Sequence, residues 1–386
     1  MDISRKSALK FIVLLGLVSL FADVTYEGAR SIIGPYFVFL GASAAVVGFV
    51  SGFGELIGYG LRLVSGYISD KTGKYWTIII IGYAVNLLAI PLLALAGRWE
   101  IAAGLIVMER TGKAIRAPAR DAILSHATKQ VGQGWGFGLH EAMDQIGALL
   151  GPIIVALVLY FKGGYKNVFL TLAIPAFFAL AVLVIARITY PRPRDFEAVT
   201  HKVEPRGLPK VFWIYLLGIG CIAAGYADFP LIAYHFKKAA ITSDNWIPIF
   251  YSLAMGVDAI SALIFGRLFD KLGITALVFA ALLSLMFAPC VFLGNFHWAL
   301  LGMVLWGIGM GAQESIMRAA VATMVTNAKR GSAYGIFNTG YGLFWFLGSA
   351  LMGILYTKSI MSVVIFSVAI QLISIPILLV AKRKLT

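Results

Sequence analysis

"GYISDKTGK", residues 66–74, and "GRLFDKLGI", residues 266–274, are nearly the same loop written twice. Gly66, Asp70, Lys71 and Gly73 recur as Gly266, Asp270, Lys271 and Gly273, at an offset of 200 residues. Two looser echoes follow. "FAD" at 21–23 returns as "YAD" at 226–228, and "FGL" at 137–139, followed by Gly151, returns as "YGI" at 334–336, followed by Gly348. Chance supplies one such match, but four glycine or charged positions in one nine-residue loop are harder to dismiss. The chain therefore reads as two related halves, and the paired loops set their register.

Between these marks the sequence is apolar. Of its 386 residues, 60 % are hydrophobic and 13 % charged, where soluble domains carry nearer a quarter charged. The mean hydropathy is +0.87 and is spread along the whole chain. A spanning helix needs about 20 largely apolar residues. Twelve stretches qualify, roughly 9–39, 44–68, 75–96, 100–124, 134–161, 166–188, 210–236, 246–269, 274–294, 297–324, 332–356 and 359–381. The expected fold is an all-α integral membrane protein, with two pseudo-symmetric six-helix bundles at 1–188 and 210–386. The Pro-rich, charged segment 189–209 is the expected cytoplasmic linker. The first run, Leu9 to Phe39, is too long for a signal h-region and no small-residue cleavage site follows it, so no cleaved leader is expected.

The basic residues orient the bundle. With both termini in the cytoplasm, 19 of the 32 Lys and Arg residues fall on cytoplasmic segments, 6 on outer loops and 7 within spans. This matches the positive-inside bias and accounts for the net charge of +14 without nucleic acid. The expected location is the cell (plasma) membrane, as a multi-pass monomer whose partners are lipid, protons and a small molecule. Cys221 and Cys290 stand in apolar runs, the five histidines are scattered, and no G-x-x-x-x-G-K-[ST] loop is present. No metal, cofactor, nucleotide site or catalytic nucleophile is expected.

The spans nevertheless carry ten acids and seven bases. Such residues are costly in the bilayer, so they face the bundle and find partners. The densest set is "MERTGKAIRAPARDAI", residues 108–123. Glu109, Lys113, Arg116 and Arg120 are spaced by four, three and four, on one helical face. If the fourth and fifth spans turn back near residue 130, Arg116 comes level with Asp144 and Arg120 with Glu141, beside His140. These pairs read either as braces of the hairpin or as contacts remade during a conformational switch. In "FADVTYEGARSIIGP", Asp23 and Glu27 lie one turn apart, so one of them is expected to hold a proton unless Arg30 neutralises Glu27. Asp258 has no cation near it in sequence, and Glu314 and Arg318, four apart, are expected to pair. Glu55, Asp228, Glu314, Asn338 and Tyr341 are further candidates to line a cavity. The acid surplus suits protons or a cationic cargo, while Arg110 and Lys113, lacking assigned partners, leave an anion open.

On these motifs the chain resembles the major facilitator superfamily over essentially its whole length. The paired G-x-x-x-D-K-x-G loops look like that family's signature loop between helices two and three and its weaker copy between eight and nine. "GALLGPIIVAL" looks like the antiporter motif G-x-x-x-G-P through Gly147, Gly151 and Pro152, although Val155 and Ala156 replace the glycines that often follow. The fourth span resembles permeases with a "GK-x-IR-x-x-x-RDA" helix. Ile106 stands where the usual motif has an arginine, so that residue's coupling role does not carry over. The resemblance implies alternating access, with Gly66, Asp70, Gly73, Arg120, Glu141, Gly147, Gly151 and Pro152 in gating. It places Asp70 against the start of the eleventh helix near Gly331. Asp23, Glu27, Arg30, Glu109, Lys113, Arg116, Asp144 and Asp258 are the candidates for proton or substrate coupling. The expected function is proton-coupled export of a small organic or drug-like compound; proton-coupled uptake is the alternative, and an intramembrane enzyme with paired carboxylates is the remote one.

Overall fold

The computed structural model describes residues 5–128, 130–191, 207–325 and 330–384, without the side chains of 133, 134, 318 and 330–332. It is all-helical among those residues. In chain order run α1 (Arg5–Phe39), α2 (Ala44–Thr72), α3 (Tyr75–Leu92), α4 (Trp99–Thr128), α5 (Gln133–Tyr160) and α6 (Tyr165–Thr189). They are followed by α7 (Lys210–Gly225), α8 (Phe229–Lys238), α9 (Trp246–Leu272), α10 (Ile274–Ser284), α11 (Phe287–Leu293), α12 (Phe296–Met324), α13 (Arg330–Lys358) and α14 (Ile360–Arg383). Among the described residues, eleven stretches are long and apolar enough to cross a membrane, with α7–α8 and α10–α11 each counted as one. The twelfth expected span, α4, is a 30-residue helix whose charges lower its hydropathy. Residues 192–206 of the central linker, the side chain of Arg318 and the surroundings of Gly331 lie outside what is described, and with them the expected Glu314–Arg318 pair and the seat for Asp70.

Two expected spans are interrupted. The seventh breaks at Tyr226–Asp228, where Asp228 takes the N-cap position of α8 and Pro230 falls in its first turn. A break inside a membrane frees backbone carbonyls that lipid cannot satisfy. Here side chains take them: Ser367 Oγ donates to Gly225 O at 2.6 Å, and Trp306 Nε1 donates to Ala227 O at 3.0 Å. The ninth span breaks at Leu285–Met286, four residues before Pro289, which has no N–H to offer the preceding turn.

The Cα packing forms two compact units, Met1–Ser31 with Gly60–Thr200, and Ile32–Tyr59 with His201–Thr386. In the first unit, close approach is set by small residues. A Cβ on Gly112 would lie 2.7 Å from Gly82 O, so α3 and α4 cross with backbones nearly touching. A Cβ on Gly151 would lie 2.5 Å from Val24 O and 2.8 Å from Gly28 N, which seats α5 on α1. In the second unit Gly348 of α13 is pressed in the same way on Ala224 of α7. The echo between the fifth and eleventh spans is thus an echo in packing. The repeated loops also agree: Gly73 has φ +59° and Gly273 φ +57°, a conformation other residues rarely adopt.

Candidate functional site

The α3–α4 and α1–α5 crossings bring four helices around a set of buried polar groups in the first unit. At its centre is Ser19 of α1. Its Oγ accepts from Arg120 Nη1 of α4 at 3.1 Å and shares hydrogen bonds with His140 Nε2 of α5 at 3.1 Å and Tyr83 OH of α3 at 3.5 Å. Arg120 also donates through Nη2 and Nε to Asp121 Oδ1, at 2.9 and 3.0 Å. Asp144 Oδ2 lies 3.9 Å from Arg120 Nη1 and 3.7 Å from His140 Nδ1.

That arrangement corrects two expected pairs. Arg116 does not reach Asp144, and Arg120 does not reach Glu141; Arg120 is the cation beside Asp144. The cause is the turn. The hairpin reverses not at 130 but around Gly132, whose φ of +104° ends the turn before α5 begins at Gln133. Moving the reversal by two residues moves the facing partner by four, one helical turn. Glu141 is exposed instead, and accepts a 3.4 Å hydrogen bond from Gln145.

A second layer lies one turn along α4. Lys113 Nζ is 4.0 Å from Glu27 Oε1 and 3.9 Å from the ring centre of Tyr26. Arg116 Cζ is 4.1 Å from the ring centre of Tyr83 and 6.0 Å from that of Tyr26. A third layer closes on Glu109, whose Oε1 accepts from Asn86 Nδ2 at 2.8 Å and whose Oε2 is 3.3 Å from Arg110 Nε. Arg110 and Lys113, without partners in the sequence reading, therefore both have carboxylates. Arg116 has none: among the described residues no carboxylate oxygen stands within 4.0 Å of it, and its Nε donates no hydrogen bond.

Of the other candidates, Asp23 lies beside this cluster, in electrostatic contact with Lys113, Glu27 and Asp144, and the rest are dispersed. Asp23 is buried on α1, with Gly147 of α5 packed on its Cβ. Arg30 is half-buried one turn beyond Glu27. Asp70 is exposed and accepts from Tyr75 OH at 3.2 Å, and Gly66 packs on Pro118. Pro152 lies inside α5. In the second unit Asp258 and Asp228 are buried, as is Glu55, while Glu314 is exposed and Asn338 half-buried. Tyr341 donates to Gln313 Oε1 at 3.4 Å and meets the ring of Tyr59 edge-on at 5.2 Å. Sequence reasoning passed over Ser19, Tyr26, Tyr83 and Asn86. Asn86 was the detectable one, a lone amide inside the apolar run of α3.

Among the described residues, eleven stretches long and apolar enough to cross a membrane, together with the charged helix α4, define a multi-pass membrane protein. The chain belongs to the Major Facilitator Superfamily, whose family model matches residues 15–349. It is 39 % identical to an uncharacterized protein of Mycobacterium tuberculosis (strain ATCC 25618 / H37Rv) over 96 % of this chain and 92 % of that one. It is 29 % identical to an uncharacterized MFS-type transporter of Methanocaldococcus jannaschii, over 91 % and 89 %. Its fold is similar to the crystal structure of a bacterial homolog of the human lysosomal transporter Spinster, with a TM-score of 0.79, 14 % identity and coverage of 99 % and 98 %.

Proposed function

We propose that this protein is a secondary active transporter in the cell membrane, both termini cytoplasmic, that exports a small organic compound in exchange for protons. Alternating access between the related halves 1–188 and 210–386 is the mechanism that a two-fold repeat serves and that enzyme chemistry does not require.

One observation carries the proton coupling: Asp144 is a buried carboxylate held loosely. Its Oδ2 stands 3.9 Å from Arg120 and 3.7 Å from His140, beyond good hydrogen-bond distance, and its Oδ1 accepts no hydrogen bond among the described residues. Arg120 is already committed to Asp121 and Ser19. Asp144 can gain or lose a proton without breaking a short bond, and each change alters the pull on Arg120 and His140. Those side chains reach Ser19, so the charge of one carboxylate bears on the mutual position of α1, α4 and α5. Gly147 and Gly151, on the same helix, make the tight α1–α5 contact that such a shift must work through.

The test is an ATP-free proteoliposome given a pH step and screened against small organic compounds. The expected result is protein-dependent movement of at least one compound class, driven by the imposed pH gradient and in the direction opposite to the protons. Co-directional movement selects uptake by symport, and flux that ignores both the pH step and the membrane potential rejects proton coupling.

A further inference from the structure

Three cations follow one another along the inner face of α4: Lys113, Arg116 and Arg120. The outer two have carboxylates, Glu27 for Lys113 and Asp121 with Asp144 for Arg120. The middle one, 1 % exposed, lies over two aromatic rings and has no carboxylate within 4.0 Å among the described residues. A guanidinium carries five N–H donors in a planar fork. Held inside a membrane bundle with no carboxylate within 4.0 Å among the described residues, that donor fork suits an anionic acceptor. Stacking on Tyr83 offsets part of the cost and aligns the guanidinium, but a ring face offers its N–H groups no in-plane oxygen. Lys113 is satisfied only at the 4.0 Å limit and keeps 22 % of its side chain accessible, so it is the open edge of the pair.

We propose that the cargo of this transporter is an organic acid, whose carboxylate docks between Arg116 and Lys113 and whose apolar body lies against Tyr26 and Tyr83. The proposal rests on the transporter reading and adds the charge of the cargo to it. Arg116 supplies bidentate donors, Lys113 a second positive charge, and the two tyrosines an aromatic wall. Carboxylates surround Lys113, but none stands within 4.0 Å of Arg116 among the described residues. Glu27 is engaged by Lys113, Asp144 lies beside Arg120 and His140, and Asp23 is beyond ion-pair distance of Arg116.

Binding in detergent tests this without any proton flux, so it fails or succeeds independently of the coupling mechanism. The purified full-length chain is titrated with acetate, benzoate, succinate and citrate, each beside its neutral amide, with sulfate as the inorganic control; the readout is thermal unfolding. At least one acid is expected to raise the unfolding temperature with dose, while its amide and sulfate do not. Arg116→Gln should weaken that binding about tenfold or more, the worth of a charge-assisted hydrogen bond. The ligand-free variant should unfold no earlier than the wild type, because the substitution removes an unpaired buried charge. Binding of none of the acids, equal binding of acid and amide, or wild-type affinity in Arg116→Gln overturns the proposal. Equal stabilisation by sulfate reduces the site to an inorganic anion site and overturns the organic-acid assignment. If Arg116→Gln does not fold, Arg116→Lys and Lys113→Gln decide: weakened binding in both supports the site, and wild-type affinity in both overturns it.

Discussion

The guanidinium carbon of Arg116 lies 4.1 Å from the centre of the Tyr83 ring, on the side of α4 that packs against α3 at Gly82 and Gly112. The ring does two separable things: it stacks on Arg116, and its hydroxyl reaches Ser19 at 3.5 Å. Tyr83→Phe keeps the stack and should change stability by less than about 1 kcal/mol, since only a long hydrogen bond is lost. Tyr83→Ala should cost roughly 3–5 kcal/mol, the usual range for emptying a buried aromatic site. Thermal unfolding in detergent compares them. Equal losses in the two variants would mean the hydroxyl, not the ring, is the essential part.

The register of the α4–α5 hairpin can be measured by double-mutant cycles. Arg120→Ala and Asp144→Ala should be non-additive by roughly 0.5–3 kcal/mol, as expected for residues sharing one network. Arg116→Ala with Asp144→Ala should couple more weakly, because no ion pair joins them. The reverse ranking in unfolding measurements would restore the register centred on residue 130.

Gly151, like Gly147, is a tight point between α1 and α5 where a single methyl can be tried. Gly151→Ala places that methyl against Val24 O and Gly28 N, both backbone atoms that cannot rotate away. Overpacking of this kind costs about 1–3 kcal/mol. Gly58 and Gly60, where an added Cβ meets nothing within 4 Å, are the controls and should tolerate alanine. Indistinguishable unfolding temperatures for Gly151→Ala and Gly58→Ala would contradict this packing.

If the cargo is a monoanion leaving in exchange for one proton, each cycle moves two charges in the same electrical sense. At about 2.3 kcal/mol per charge per 100 mV, an inside-negative potential of that size contributes roughly 5 kcal/mol to export. A potassium diffusion potential set with valinomycin should therefore drive flux of the acid identified by binding, even at equal pH on both sides. Flux that is indifferent to the potential excludes this charge balance.

The fold was legible because membrane burial writes itself into sequence as length and hydropathy, and because the Gly66–Asp70–Gly73 loop repeats. The helix interruptions at Tyr226–Asp228 and Leu285–Met286 were not read, although Pro230 and Pro289 mark them, since proline is tolerated inside α1, α4, α5, α6 and α14 as well. Within the site, the face shared by Glu109, Lys113, Arg116 and Arg120 follows from helical spacing alone. Which acid meets which base does not. It depended on a single glycine, Gly132, and a two-residue error there gave Arg116 the carboxylate that stands beside Arg120. Ser19, Tyr26 and Tyr83 stayed hidden because a serine or tyrosine in an apolar helix is ordinary until the neighbouring helices are in place.

The most direct test of proton coupling at Asp144 is proton movement itself. Proteoliposomes enclosing a pH dye are given a compound that the wild-type protein binds, and the same measurement is made on Asp144→Asn, with binding checked separately in detergent. The wild type is predicted to move protons into the lumen as the compound leaves, and Asp144→Asn to bind the compound while moving no protons. Undiminished proton movement in Asp144→Asn, with the compound still bound and transported, would contradict the account.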